Sequence, residues 1–197
     1  MAAAPGDDVR AEEALLAAAR RGERRALERL LQRLAPRVLA GCRAVLGPAH
    51  PDVEDAAQEA LLALAGALPR FRGECSLAHY AARVTARVAM QQLRRWRRGH
   101  PPGPHEAERP AALASDPEAE VLAGRRRELV RDLLAELPEA QAEVLLMRVV
   151  LGMRPAEVAA ATGVPVNTVR SRLRLARQAL EQRWPRDLDD PTGEASG

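Results

Sequence analysis

Apolar residues recur every three or four positions through most of this chain. Leu27, Leu30, Leu31, Leu34, Val38 and Leu39 fall on one helical face. Pro36 sits inside that run and predicts a kink or a division there. Upstream, "VRAEEALLAAAR" reads as a helix capped by Asp7 and Asp8 and stopped at Gly22. "GPAHP" breaks the chain at 47–51, and "DVEDAAQEALLALAGAL" is the next helix, ended by Pro69. The loop "RFRGECS" then leads into a helix from Leu77 to Arg98. Residues 1–98 thus form a first helical domain.

The pattern then lapses. Gly99 to Glu120, "GHPPGPHEAERPAALASDPEAE", holds five prolines, several acids and a single arginine, Arg109. It reads as a flexible acidic linker over 99–117; as a relaxed coil its 22 residues would span roughly 26 Å. Asp116 followed by Pro117 restarts helix in cap-then-proline order. Periodicity resumes over 118–184, with helices expected at 117–136, 138–150, 154–162 and 165–183. The tail 185–197 is acidic and is expected to be disordered.

One stretch supports two periods. In "GVPVNTVRSRLRLAR", Gly163 to Arg177, apolar or small residues alternate with arginine from Val169 to Leu175, as on a half-buried strand. Over a longer window Val166, Val169, Leu173, Ala176 and Leu180 are spaced as on a helix. The alternation fails at Ala176–Arg177 while the helical spacing persists, and Pro165 suits a first helical turn better than a central strand. The helix reading prevails. Asn167, Arg170, Ser171 and Arg174 then share the face opposite the apolar stripe.

Composition narrows the class. Apolar residues make up 47% of the chain but aromatic ones only 2%, so any core is built of Leu, Ala and Val. With no β-branched or aromatic run bounded by turns, the expectation is an all-α protein of two small helical domains. Cys42 and Cys75 are solitary, and His50, His79, His100 and His105 lack ligand spacing. Neither a metal site, a cofactor nor a disulfide is expected. No signal peptide or membrane-length apolar run is present in the sequence, so the expected location is the cytoplasm. Glu12–Glu13 and Asp189–Asp190 read as solvated charges, and no phosphate loop or nucleophile motif points to an enzyme.

Charge is distributed unevenly. Arg83 to Arg98 contains six arginines and no carboxylate, and Arg170 to Arg186 contains six with only Glu181 among them. Two basic patches on a chain of pI about 9.6 suggest a polyanionic partner. "RPAEVAAATG" is a short Ala-rich helix ending at Gly163, so with the helix after it the chain carries a helix-turn-helix. In that geometry Asn167 and Arg170 reach base edges and the later arginines meet phosphates. An αα-hairpin with a solvated basic face would share the pattern.

"ELPEAQAEVLLMRVVLGMRPAEVAAATGVPVNTVRSRLRLARQAL" closely resembles the promoter −35 reading domain of bacterial sigma factors of the extracytoplasmic-function (ECF) group. "DAAQEALLALAGALPRFRGECSLAHY" resembles the same group's core-binding helix and −10 reading loop. The resemblance covers roughly 10–98 and 118–184. It implies a sigma factor that binds core RNA polymerase and directs promoter-specific initiation, while the polymerase performs the chemistry. Asp55, Gln58 and Glu59 match the family's D-x-x-Q-E pattern and are implied to dock on core polymerase. Phe71, Arg72, Gly73 and Glu74 match its "FRGE" element; with Arg83, Arg87, Arg94 and Arg95 they are implied to recognise and melt the −10 region. Asn167, Thr168, Arg170, Ser171, Arg174 and Arg177 are implied to read −35 DNA.

Departures from the family pattern are Ala65 and Tyr80 where Trp is frequent, and Arg87 and Gln91 where Asn and Asp are common. They predict weaker stacking on melted bases. The implied partners are core polymerase, promoter DNA and an anti-sigma factor, with the free chain a monomer. The competing reading is a conventional helix-turn-helix regulator, which predicts a dimer on palindromic half-sites; a helical interaction protein is a third.

Overall fold

A computed structural model describes residues 5–100 and 117–185, and most of the linker and the tail lie outside them. Among the described residues the protein is all helical, with eight α-helices and no strand. The first four helices are α1 (Pro5–Arg20), α2 (Arg24–Leu46), α3 (Val53–Ala67) and α4 (Leu77–Gly99). A 3-10 turn at Leu68–Arg70 follows α3. After the gap come α5 (Pro117–Glu136), α6 (Glu139–Val149), α7 (Pro155–Thr162) and α8 (Val166–Arg183).

Helix α1 begins at Pro5, so Asp7 and Asp8 lie inside its first turns rather than before it. Helix α2 runs through Pro36 as one helix, so the chain is not divided there. Proline removes one backbone donor from the ladder. Here Leu30 and Leu34 before it, and Val38 and Cys42 after it, stay in phase on one buried face. That packing holds the helix through the defect. Leu27, Leu31 and Leu39 lie at the edge of the same stripe, half-buried.

Helix α2 packs on α1, α3 and α4, and Gly41 is required where α2 meets α4. A Cβ there would lie 2.8 Å from Thr85 Cγ2. Thr85 is buried and donates its hydroxyl to the Ala81 carbonyl, which satisfies it inside the bundle. Cys42 packs in the same core, where burial pushes its thiol up to about 11. Burial also raises the Cys75 thiol. Both stay protonated at neutral pH, as suits small packing residues.

Helix α4 is the shared wall of the molecule. One side closes the first bundle with Leu77, Ala81, Ala86, Ala89 and Leu93 buried. Its other side packs against α5, α6 and α7. Ser76 caps α4, its hydroxyl accepting the His79 amide at 3.2 Å. At its far end Trp96 meets His50 edge-on at 4.5 Å and stacks on His100 at 3.9 Å. No described helix is long and apolar enough to cross a membrane.

Candidate nucleic-acid interface

The second bundle presents a helix-turn-helix. Helix α7 starts at Arg154–Pro155, where the proline's missing N–H costs nothing. The Arg154 amide donates to Glu157 Oε2 at 2.7 Å, and the Arg154 guanidinium grips Glu157 Oε1 at 2.6 Å. Those bonds hold the Glu157 carboxyl below its ordinary range. Helix α7 ends at Gly163, whose φ of 72° turns the chain through the left-handed region. Val166 begins the next helix three residues later.

Helix α8 resolves the ambiguous stretch as helix from Val166 onward. Val169, Leu173 and Ala176 are buried. Asn167, Arg170, Ser171, Arg174 and Arg177 are exposed on the opposite side, with Thr168 half-buried beside them. Arg170 donates to Asn167 Oδ1 at 3.3 Å, and Ser171 bonds back to the Thr168 carbonyl at 3.0 Å. Arg170, Arg174 and Arg177 line one groove of about 460 Å³ with Gln178 and Glu181. Arg148, from α6, joins them there. The sequence reading missed Arg148 because no local pattern relates α6 to α8.

On the first bundle, Asp55 and Gln58 stand exposed on α3. Leu62, one further turn along, is 67% exposed and extends that face with an apolar group. Glu59 differs from its neighbours. It is half-buried and accepts Gln92 Nε2 at 2.7 Å, with Arg95 at 3.5 Å. Its carboxylate therefore joins α3 to α4.

The loop after α3 is anchored rather than splayed. Phe71 is buried and lies 4.6 Å from the Tyr80 ring. Arg20 donates to the Phe71 carbonyl and places its guanidinium over the ring, 5.9 Å from the centroid. Gly73 adopts φ 80°, which L side chains rarely do. Arg72 and Glu74 remain exposed at the tip. Arg20 was not legible in the sequence, since it lies about fifty positions from the loop it fixes.

The arginines of α4 have protein partners. Arg83 donates to Glu143 at 3.0 Å and to the Ala161 carbonyl at 3.0 Å. Arg87 lies 3.8 Å from Glu139. Arg94 donates to the Ala135 and Leu137 carbonyls at 3.2 and 2.8 Å. Arg97 pairs with Asp132 at 2.7 Å. Every one of these partners belongs to the second bundle. Ala135 and Ala161 lie in the last turns of α5 and α7, where carbonyls lack helical partners and cations are favoured.

These contacts differ in weight. Arg87 and Glu139 are largely exposed, and such pairs contribute about 0–1 kcal/mol. Arg97 and Asp132 are largely buried, and removing one partner of such a pair leaves an uncompensated charge. The interface therefore rests on Arg94, Arg97 and Arg83 more than on Arg87. Among the described residues no cluster of three His, Cys, Asp or Glu could hold a metal.

Comparison with known proteins agrees in both halves. Residues 30–99 match the sigma-70 region 2 family, and residues 127–180 match sigma-70 region 4. The chain is 34% identical over 174 residues to ECF RNA polymerase sigma factor SigD of Mycobacterium tuberculosis, covering 86% of this chain and 82% of that one. It is 31% identical over 140 residues to the ECF RNA polymerase sigma-E factor of Escherichia coli K12, covering 67% and 73%. Its fold is similar to that of CnrH, solved in complex with the cytosolic domain of CnrY. The TM-score is 0.55 at 24% identity, over 87% of this chain and 96% of CnrH.

Proposed function

This chain belongs to the ECF sigma factors of bacterial RNA polymerase, which direct the polymerase to promoters, and on that premise we propose a division of labour among its elements. Residues 1–98 dock on core polymerase and open the −10 region, 118–184 read the −35 element, and 99–117 join them. Asp55 and Gln58 make the polar docking contacts, helped by exposed Leu62. Glu59 holds α3 in place on α4 through Gln92 and Arg95. Helix α8 enters the major groove with Asn167 and Arg170 leading, while Arg174, Arg177 and Arg148 meet phosphates. The loop tip Arg72–Glu74 and the arginines of α4 serve the melted strand, with Phe71 and Gly73 setting the loop's shape.

The observation that carries this reading is the exposed polar face of α8 lying in one chain with the exposed Asp55–Gln58 face of α3. A conventional regulator has no use for the second. The chain supplies promoter choice and the polymerase the nucleotidyl transfer. It acts in the cytoplasm as a monomer when free, and an anti-sigma partner restrains it; the complex of CnrH with part of CnrY is in keeping with such a partner.

The test is a pull-down of purified core polymerase by the wild-type chain and by an Asp55→Ala/Gln58→Ala variant, which leaves Glu59 in its structural role. Wild-type capture that the variant loses is the expected result. Equal capture of both would refute docking through α3.

A further inference from the structure

The loop between α3 and α4 is held by a residue that lies outside it. Arg20, the last residue of α1, donates to the Phe71 carbonyl and sets its guanidinium 5.9 Å from the Phe71 ring centroid. The same group reaches over the loop toward Gly73, where an added Cβ would lie 3.9 Å from Arg20 Nη2. Phe71 in turn packs on Tyr80 at 4.6 Å. This line of contacts joins α1, the loop and α4. Among the described residues no other side chain bonds the backbone of residues 71–75.

The arm that carries the guanidinium is itself fixed. Gly22, at φ 87°, ends α1 with two paired bonds. Its amide donates to the Ala19 carbonyl at 3.0 Å, and the Glu23 amide donates to the Ala18 carbonyl at 3.1 Å. Ala19 is buried, and α1 packs on the 3-10 turn from which the loop departs. A cation in the last turn of a helix is also favoured by the helix dipole. Arg20 itself is exposed, so removing it should loosen the loop without unfolding the bundle. It belongs to neither the D-x-x-Q-E nor the FRGE pattern, and it lies ahead of residues 30–99.

We propose that Arg20 is a positioning residue for −10 recognition. It holds Phe71 down on Tyr80, so the tip from Arg72 to Glu74 is already shaped to take an unstacked base of single-stranded DNA. A preshaped loop incurs no ordering cost when the base arrives, and a loose one binds in proportion to its shaped fraction. Arg20 acts through the loop and not on the DNA. This inference rests on the reading of the loop as the −10 contact.

Phe71 and Tyr80 are the chain's single Phe and single Tyr, so the nuclear Overhauser contact between their rings is one assignable signal. In the free chain Arg20→Ala should lose most of that signal while the melting temperature moves little. Arg20→Lys, which keeps a cation and a donor, should retain more of it. Wild-type holoenzyme then selects a promoter from duplexes randomised over both elements. Opening of that promoter, and of its single-base −10 variants, is followed by permanganate reactivity. Arg20→Ala should open the selected promoter about tenfold less, as when the shaped fraction falls from nearly all to about a tenth. Promoter variants whose −10 base is already poorly captured should fall less, so discrimination narrows. Capture of core polymerase should not change.

A ring contact that persists in Arg20→Ala would overturn the proposal. So would a loss equal on every −10 variant with a salt slope lower by about one, the mark of a direct phosphate contact. Holoenzyme carrying Arg72→Ala/Glu74→Ala separates the proposal from the reading beneath it. If that tip variant loses opening and Arg20→Ala does not, the loop is the −10 contact but Arg20 does not position it. If neither loses opening, the loop is not the −10 contact.

Discussion

Two helices of this protein carry arginine rows that look alike as sequence, and the fold treats them in opposite ways. On α8, Arg170, Arg174 and Arg177 stand exposed along one groove. On α4, Arg83, Arg94 and Arg97 are tied to carboxylates and helix-end carbonyls of the other bundle. A row of charge announces a polyanionic or polar partner but not whether that partner is another molecule. What separates the rows is the far side of each helix. Among the described residues α8 is the last helix and has one buried face, whereas α4 lies between two bundles and has two.

The contrast can be broken at α8 first. Arg170→Ala should weaken binding of holoenzyme to a promoter duplex by about 1–3 kcal/mol, with little change in the thermal stability of the free chain. Gel-shift titration beside a melting curve checks this. Arg148→Ala should instead weaken binding evenly across sequences and lower the salt slope by about one. A stability loss as large as the binding loss would mean that the arginines of α8 are tied into the fold as firmly as those of α4.

The placement of the α4 row depends on how closely α4 seats on α2. Gly41→Ala puts a Cβ 2.8 Å from Thr85 Cγ2, so the Thr85 side chain or one of the two helices must shift. The expected cost is about 1–3 kcal/mol in chemical denaturation, typical of overpacking. A neutral result would show that the Thr85 side chain or α4 gives way, and that Gly41 does not by itself fix how α4 seats on α2.

The smallest effect concerns Glu157, which faces His79 of α4 at 3.9 Å as well as Arg154 on its own helix. Its carboxyl is held low, first by hydrogen bonds from Arg154. A depressed folded-state pKa stabilises the fold above the unfolded value, and that stability is lost as pH falls through the folded one. Wild type should therefore lose stability below the ordinary glutamate range. Arg154→Ala should shift Glu157 back upward and flatten that acid limb. NMR titration of the carboxyl checks it; an unmoved titration would assign the shift to the backbone amide of residue 154 or to His79 rather than to the guanidinium.

Much of the fold was legible because it is local. The expected helices 138–150, 154–162 and 165–183 are observed at Glu139–Val149, Pro155–Thr162 and Val166–Arg183, since Pro138, Gly152 and Gly163 punctuate them. Pro36 shows where local rules stop. Its cost is local, but the buried stripe that keeps α2 whole is a property of the bundle. The polar face of α8 was equally legible, because apolar spacing along α8 fixes which side is left for Asn167, Arg170 and Arg174.

By itself, then, the sequence determined the helices, their order, the helix-turn-helix and the family, all of which depend on spacing over a few residues. Tertiary structure alone decided that Phe71 is buried under Arg20 and Tyr80, and that Glu59 is held by α4 while Asp55 and Gln58 are exposed. It also decided that Arg148 joins the α8 groove and that Arg83, Arg94 and Arg97 of α4 are tied to the second bundle. Nearly all of these contacts join residues more than twenty positions apart. Long side chains meet such partners only after the apolar faces have fixed how the helices pack, and no local pattern carries that information.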